Sequence, residues 1–390
     1  IIMNKIPNGW KEKKLKYIAE ITSSKRIYEY EYVDSGIPFY RGKEITALKN
    51  NQKIENFIYI SEKRYNELKE KYGVPSKYDI LITAVGTVGN AYTIEDDKPF
   101  YFKDGNLLWL KNIKEYPKFV EYLFECNKNI LLNNFFGSVQ HALTISRLEN
   151  LTFYFPPLDE QKRIASALSK IDAYLENTIK LIEEKERFKR GIAKKLLTCK
   201  EGENIPEARF KGFEDEWEIV KLGDILSYEQ PKDYIVKSEE YNNKYKYPVL
   251  TAGKTFILGY TNEEFGIYNK LPVIIFDDFT TDAQYVDFPF KVKSSAIKIL
   301  KSKYYNTKLI YELIKNIKFN ARTHKRYYIS EYQYLKIKIP KSIKEQEDIS
   351  GYLSLLDEEI DNLKKQKELI KEMKRGAMQK LLSGEVRLLK

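Results

Sequence analysis

The sequence predicts a mixed α/β (α+β) chain in which two globular domains alternate with two long helices. Three observations predict it. A length of 390 residues exceeds what one hydrophobic core ordinarily serves. A segment beginning at Glu160 returns at Glu345, and both copies carry an apolar stripe at alternating spacings of three and four. Hydrophobic residues make up 43% and aromatics 14%, enough to build cores, while the longest apolar runs, such as Val273-Ile274-Ile275-Phe276, fall far short of a membrane span.

The repeat can be traced by identity. Glu160-Gln161 returns as Glu345-Gln346, and at the same offset Ile164, Leu168, Ser169 and Asp172 match Ile349, Leu353, Ser354 and Asp357. The register persists through Arg190-Gly191 with Arg375-Gly376 and Lys195-Leu196-Leu197 with Lys380-Leu381-Leu382. In the second copy Ile349, Leu353, Leu356, Ile360, Leu363, Ile370, Ala377 and Leu381 form the stripe. In the first it is Ile164, Leu168, Ile171, Leu175, Thr178, Ile182, Ile192 and Leu196, interrupted by charge around Lys185 and Glu186. A helix with one apolar stripe needs a partner, and the obvious partner of each copy is the other, as a coiled coil. A segment of about 40 residues at about 1.5 Å each is on the order of 60 Å long, which suits a spacer.

Ahead of each helix the halves share a fold rather than a sequence. Trp10 and Leu15 recur as Trp217 and Leu222. Ile145-Ser146 leading to Phe153-Tyr154-Phe155-Pro156 parallels Ile329-Ser330 leading to Ile337-Lys338-Ile339-Pro340, a strand that stops before the helix. Further strands are expected over 80–83, 107–110, 248–251, 272–276 and 296–300, with one amphipathic helix per half over 119–128 and 309–317. Gly86-Thr87-Val88-Gly89 reads as a tight turn after the strand at 80–83. The expected division is 1–156 as the first domain, 157–200 as a helical spacer, 201–340 as the second domain and 341–390 as a second spacer.

Charge gives the first functional hint. With 67 Lys and Arg against 56 Asp and Glu the chain carries +11, and a basic surface attracts polyanions such as DNA. Enzyme classes are narrowed at the same time. Only His141 and His324 exist, which rules out histidine metal clusters and most acid–base dyads. There is no phosphate-binding Gly-x-x-x-x-Gly-Lys-Ser/Thr loop and no Asn-Pro-Pro-Tyr methyltransferase motif. The two cysteines, Cys126 and Cys199, make no disulfide framework, as befits a reducing compartment. The start, Ile1-Ile2-Met3 followed by lysines, lacks the apolar core of a signal peptide, so a cytoplasmic protein is expected.

The arrangement as a whole resembles the specificity subunits of type I restriction-modification systems. The run Pro156-Pro157-Leu158-Asp159-Glu160-Gln161-Lys162-Arg163-Ile164-Ala165 is similar to the start of the family's central helix, and Glu345-Gln346-Glu347-Asp348-Ile349 to its distal one. Gln379-Lys380-Leu381-Leu382-Ser383-Gly384 resembles a family helix terminus. Ile37-Pro38-Phe39-Tyr40-Arg41-Gly42, Tyr247-Pro248-Val249-Leu250-Thr251-Ala252-Gly253 and Phe276-Asp277-Asp278-Phe279-Thr280-Thr281 resemble recognition-domain segments. One departure is Lys341 to Lys344, where the second copy has an extra residue and no double proline, so a differently shaped helix entry is expected.

The resemblance implies a subunit without catalysis or cofactor of its own. Its two target-recognition domains would sit on antiparallel helices related by a pseudo-two-fold axis, each reading one half of a bipartite, asymmetric target on double-stranded DNA. It implies modification subunits that carry S-adenosylmethionine and motor-endonuclease subunits that use ATP and Mg²⁺ as partners, and no membrane. The DNA-binding candidates are Arg41, Lys43, Gln140, His141, Thr251, Lys254, Thr280, Thr281, His324, Lys325 and Arg326, cationic, amide or hydroxyl groups in expected loops. Asp277 and Asp278 suit either a turn or acceptance from a cytosine amino group. Two rival readings are a bipartite scaffold whose domains bind peptides or sugars, and a nuclease that holds a metal on Asp277 and Asp278.

Overall fold

A computed structural model describes residues 6–132, 142–253, 255–321 and 325–389. The chain divides into two compact units: one takes in the chain up to Lys180 together with Lys365 onward, the other is Leu181–Lys364. The expected long helices are Leu158–Leu197 and Ile343–Leu382, 40 residues each, and every unit receives a part of both.

The first unit holds a four-stranded sheet in the order Glu20–Thr22, Leu107–Lys111, Ile80–Thr83, Ala91–Thr93, all antiparallel. A second sheet runs Tyr32–Val33, Ile58–Ile60, Ile37–Tyr40, Tyr101–Phe102, its last pairing parallel. The second unit repeats the plan with unrelated side chains. Its four strands are ordered Leu226–Glu229, Ile297–Ser302, Val273–Asp277, Ala283–Val286. Its smaller sheet is Ile257–Thr261, Tyr247–Leu250, Lys291–Val292, again ending in a parallel pairing. In each unit a two-stranded ribbon, Lys11–Lys14 with Thr152–Phe155 or Glu218–Lys221 with Lys336–Ile339, leads into a long helix. The amphipathic helices fall at Pro117–Cys126 and Thr307–Lys315.

The long helices belong to the cores. Ile164, Leu168 and Leu381 share one core with Leu108, Phe119 and Phe155, while Leu196, Ile349 and Leu353 share another with Ile274, Phe276 and Leu300. Pairing within each unit is antiparallel. In the first, Tyr174 meets Gln366 and Asp172 meets Lys374 at 2.8 Å; in the second, Lys185 meets Glu359 at 2.7 Å and Glu186 meets Lys364 at 2.7 Å. The charges that interrupt the apolar stripe at Lys185 and Glu186 are therefore cross-helix ion pairs. Asp172–Lys374 recurs in the second unit as Asp357–Lys189, the same pair carried through the repeat.

The repeated Glu-Gln dipeptide is a lock. Gln161 accepts from the Tyr116 N–H (2.9 Å) and donates to the Pro156 carbonyl (2.9 Å); Gln346 accepts from the Asn306 N–H (2.8 Å) and donates to the Pro340 carbonyl (2.8 Å). Each glutamine thus ties a long helix to the strand before it and to the short helix beside it. The second entry differs as expected, though only locally: one extra residue separates Pro340 from the helix and Ser342 caps it through its carbonyl and hydroxyl, while the same lock closes over the insertion. The glutamates clasp arginines that lie beyond the end of the other helix. Arg387 holds Glu160 at 2.7 and 2.8 Å in the first unit, and Arg209 holds Glu345 at 2.7 and 2.8 Å in the second. Gly384, at φ +72°, starts the segment leading to Arg387, and a Cβ there would lie 2.4 Å from Pro7 Cγ. Gly384→Ala is therefore expected to destabilise the first unit by about 1 kcal/mol or more, measured by denaturant unfolding.

Candidate nucleic-acid interface

Side chains that read DNA sit mostly on loops held by rigid strands, so the site is built from the strand ends. In the first unit three backbone hydrogen bonds stitch four loops into one edge. Lys103 N–H donates to the Tyr40 carbonyl (2.8 Å), Ala84 N–H to Asn106 (2.8 Å), and Leu143 N–H to Ala84 (2.9 Å). The second unit repeats the stitch: Lys293 N–H donates to Leu250 (3.0 Å), Asp278 N–H to Ala296 (2.9 Å), and Tyr327 N–H to Asp278 (2.8 Å). The turn after the central strand is also duplicated. Gly89 N–H reaches the Thr83 carbonyl at 2.8 Å and Thr281 N–H reaches Asp277 at 2.9 Å, with both donors in the left-handed region at φ +83° and +63°. Glycine adopts that backbone freely, whereas a β-branched threonine there carries strain of about 1 kcal/mol or more.

The stitch gathers the candidate residues. Arg41 and Lys43 follow Tyr40 in the first unit, and Thr251 follows Leu250 in the second. Thr280 and Thr281 occupy the turn, and Lys325 and Arg326 precede Tyr327. Gln140, His141, Lys254 and His324 lie outside the described residues. The residues that sequence reasoning missed are the first unit's turn, with Val85, Gly86 and Thr87 exposed at its tip, and the crossing loops at 103–106 and 293–296. Gly86 and Gly89 were visible as a turn, but only the matching backbone hydrogen bonds equate that turn with the shorter one at Asp277–Thr281.

Charge on these edges is partly restrained. Arg41 caps the helix Gly42–Lys49 and grips Glu44 through its N–H (2.8 Å) and guanidinium (2.8 Å). Burial alone would raise the Glu44 carboxyl, but Arg41 overrides it and holds the pKa below the usual carboxylate value. Lys43, 64% exposed, stands 3.6 Å from the same carboxylate. In the second unit Arg326 lies 5.9 Å over the Phe279 ring, Lys325 pairs with Glu331, and the Thr251 hydroxyl donates to the Thr255 carbonyl at 2.6 Å. An arginine held on an aromatic ring keeps its donors directed outward, as phosphate and base contact require.

The two aspartates have separate partners. Asp277 accepts from the Phe279 and Thr280 N–H groups at 2.8 and 2.9 Å, the turn role of the two that its sequence allowed. Asp278 is fully buried, accepts from the Tyr328 N–H at 2.8 Å and faces Lys298 Nζ at 3.5 Å. Its burial corrects the alternative in which it accepts from a cytosine. Among the described residues no helix is long and apolar enough to cross a membrane.

The chain is similar to known proteins in sequence and in fold. The sequence model of the family described as "Type I restriction modification DNA specificity domain" matches residues 7–184 and 214–372. The chain is 51% identical over 141 residues to the EcoR124I/EcoR124II specificity subunit of Escherichia coli, a match spanning 34% of each chain. It is 26% identical over 421 residues to the putative MjaX specificity subunit of Methanocaldococcus jannaschii, spanning 99% of this chain and 96% of that one. The putative type I restriction enzyme specificity subunit S.HindORF215P of Haemophilus influenzae is 34% identical over 167 residues, spanning 42% of this chain and 40% of its own length. Among solved structures, the S subunit of a type I restriction-modification system from M. genitalium shares the fold with a TM-score of 0.64 at 19% identity, covering 97% of this chain and 96% of its own. A chain from a structure of complex assembly in the type I R-M system gives 0.55 at 13% identity, covering 98% and 100%.

Proposed function

The chain belongs to the type I restriction-modification DNA specificity family, and from that premise we propose how it recognises DNA sequence: each stitched edge reads one half of a two-part target. The duplicated stitch carries this reading. One backbone frame is used twice with different side chains, which is what two unlike half-sites require. The long helices run from one unit into the other and enter both cores, so their length sets the gap between the half-sites.

The chain itself contributes recognition rather than chemistry. Methyl transfer with S-adenosylmethionine belongs to modification subunits, and ATP- and Mg²⁺-dependent translocation and cleavage to motor-endonuclease subunits, both docking around the helix pair in the cytoplasm. Mapping methylated positions in a host that expresses the chain with its modification partner tests the reading. A two-part asymmetric motif is the expected result, and methylation without such a motif would sink it. Inserting one heptad into both long helices is expected to lengthen the gap while leaving both half-sites as they are; altered half-sites with an unchanged gap would refute the ruler.

A further inference from the structure

One ion pair of the second unit lies buried in its interior. Asp278 and Lys298 are both almost wholly buried, with Asp278 Oδ2 and Lys298 Nζ 3.5 Å apart. Removing two charges from water is costly, and such a pair is weak evidence for stability. The repeat sharpens the point. Asp278 corresponds to Ala84 through the stitch, and because Ile82 faces Leu108 across the sheet as Phe276 faces Lys298, Lys298 corresponds to Leu108. The first unit builds the same frame with a buried alanine and a buried leucine. The fold therefore does not need the ion pair.

What the pair adds is a side-chain bond that the first unit lacks. Asp278 Oδ1 accepts from the Tyr328 N–H at 2.8 Å while its carbonyl accepts from the Tyr327 N–H at 2.8 Å, so two successive amides of the segment carrying Lys325 and Arg326 are held by one residue. Lys298 Nζ faces the other carboxylate oxygen as an ion pair rather than a hydrogen bond, and lies 5.5 Å over the ring of Tyr228, which in turn packs edge-on against Tyr328 at 5.6 Å. We propose that the buried Asp278–Lys298 pair is a positioning device that sets the Lys325–Arg326 segment against the Phe279–Thr281 turn, and thereby fixes the base selectivity of the second unit's half-site. The inference rests on the reading of the two edges as DNA readers.

The test transplants the first unit's solution. In the complex with its modification subunits, D278A/K298L removes the side-chain acceptor without leaving a buried charge, whereas D278N/K298Q keeps an acceptor for the Tyr328 N–H. The wild-type motif is mapped first, and its absence would count against the functional reading rather than this one. D278A/K298L is expected to fold with a near-normal melting profile, to lose discrimination at positions within one half-site by about tenfold or more, and to keep the other half-site and the gap. D278N/K298Q is expected to retain discrimination in both halves. Undiminished selectivity in D278A/K298L, a loss spread over both halves, or failure of that variant to fold would overturn the proposal.

Discussion

Arg209→Met is expected to destabilise the second unit by about 3–5 kcal/mol, because it strands a carboxylate that has almost no access to water. Glu345 is 1% exposed, and its two oxygens take both bonds of the guanidinium, with Trp217 Nε1 adding a third at 3.2 Å. The clasp is bidentate, so a lysine at this position would not replace it. R209M/E345Q, which removes the charge along with its partner, should recover most of the loss; an equal loss in the single and double variants would show that the arginine acts through packing alone. The mirror-image variant Arg387→Met should act on the first unit through Glu160. There Arg387 comes first in holding the carboxyl below its ordinary value of 4.5, against a smaller opposing effect of burial. A depressed carboxylate stabilises above its unfolded pKa and loses that contribution as pH falls through the folded value. The stability difference between wild type and R387M should therefore be full at neutral pH and shrink below about 4.5, read from denaturant unfolding at stepped pH.

Much of this architecture was legible because it is written twice. The helices, their partnership and the two-domain plan followed from identities at one offset and from an apolar stripe, both of which are local patterns, whereas the antiparallel direction was what the family resemblance implied. The strands at 80–83 and 273–277 were visible as apolar runs bounded by turn residues. The short strands Tyr101–Phe102 and Lys291–Val292 were not, since two residues carry no period and their pairing to Ile37–Tyr40 and Tyr247–Leu250 is parallel and distant in sequence. The stitch depends on those pairings and on backbone groups alone, so it leaves no mark on residue type. That is why Arg41 and Lys325 could be named while the frame joining Tyr40 to Leu143, or Leu250 to Tyr327, could not. Glu160 and Glu345 showed as a repeated motif, but their arginines lie outside the matched stretch, at 387 and 209, and nothing in spacing connects them.

Leu353→Ala is expected to reach the loop edge of the second unit through the helix. Leu353 is fully buried in a core that also contains Ile274, Phe276 and Leu300, on the two strands whose ends form the Asp277–Thr281 turn and the 293–296 loop. Removing its isobutyl group from a close-packed site should destabilise the second unit by about 2–5 kcal/mol, the spread depending on how far the helix can settle into the space. Leu168, its counterpart in the repeat, holds the same place in the first core with Ile82 and Leu108. Hydrogen exchange separates the two. Leu353→Ala should lower protection in Val273–Asp277 and Ile297–Ser302 and spare Ile80–Thr83 and Leu107–Lys111, while Leu168→Ala should do the reverse. Were both variants to loosen both sheets equally, the units would share one cooperative core. A helix that merely lay against the domains would give neither pattern. Because each long helix is anchored through such a leucine to the sheet that presents the loops, a disturbance of the helix within one unit should reach the loop edge of that same unit.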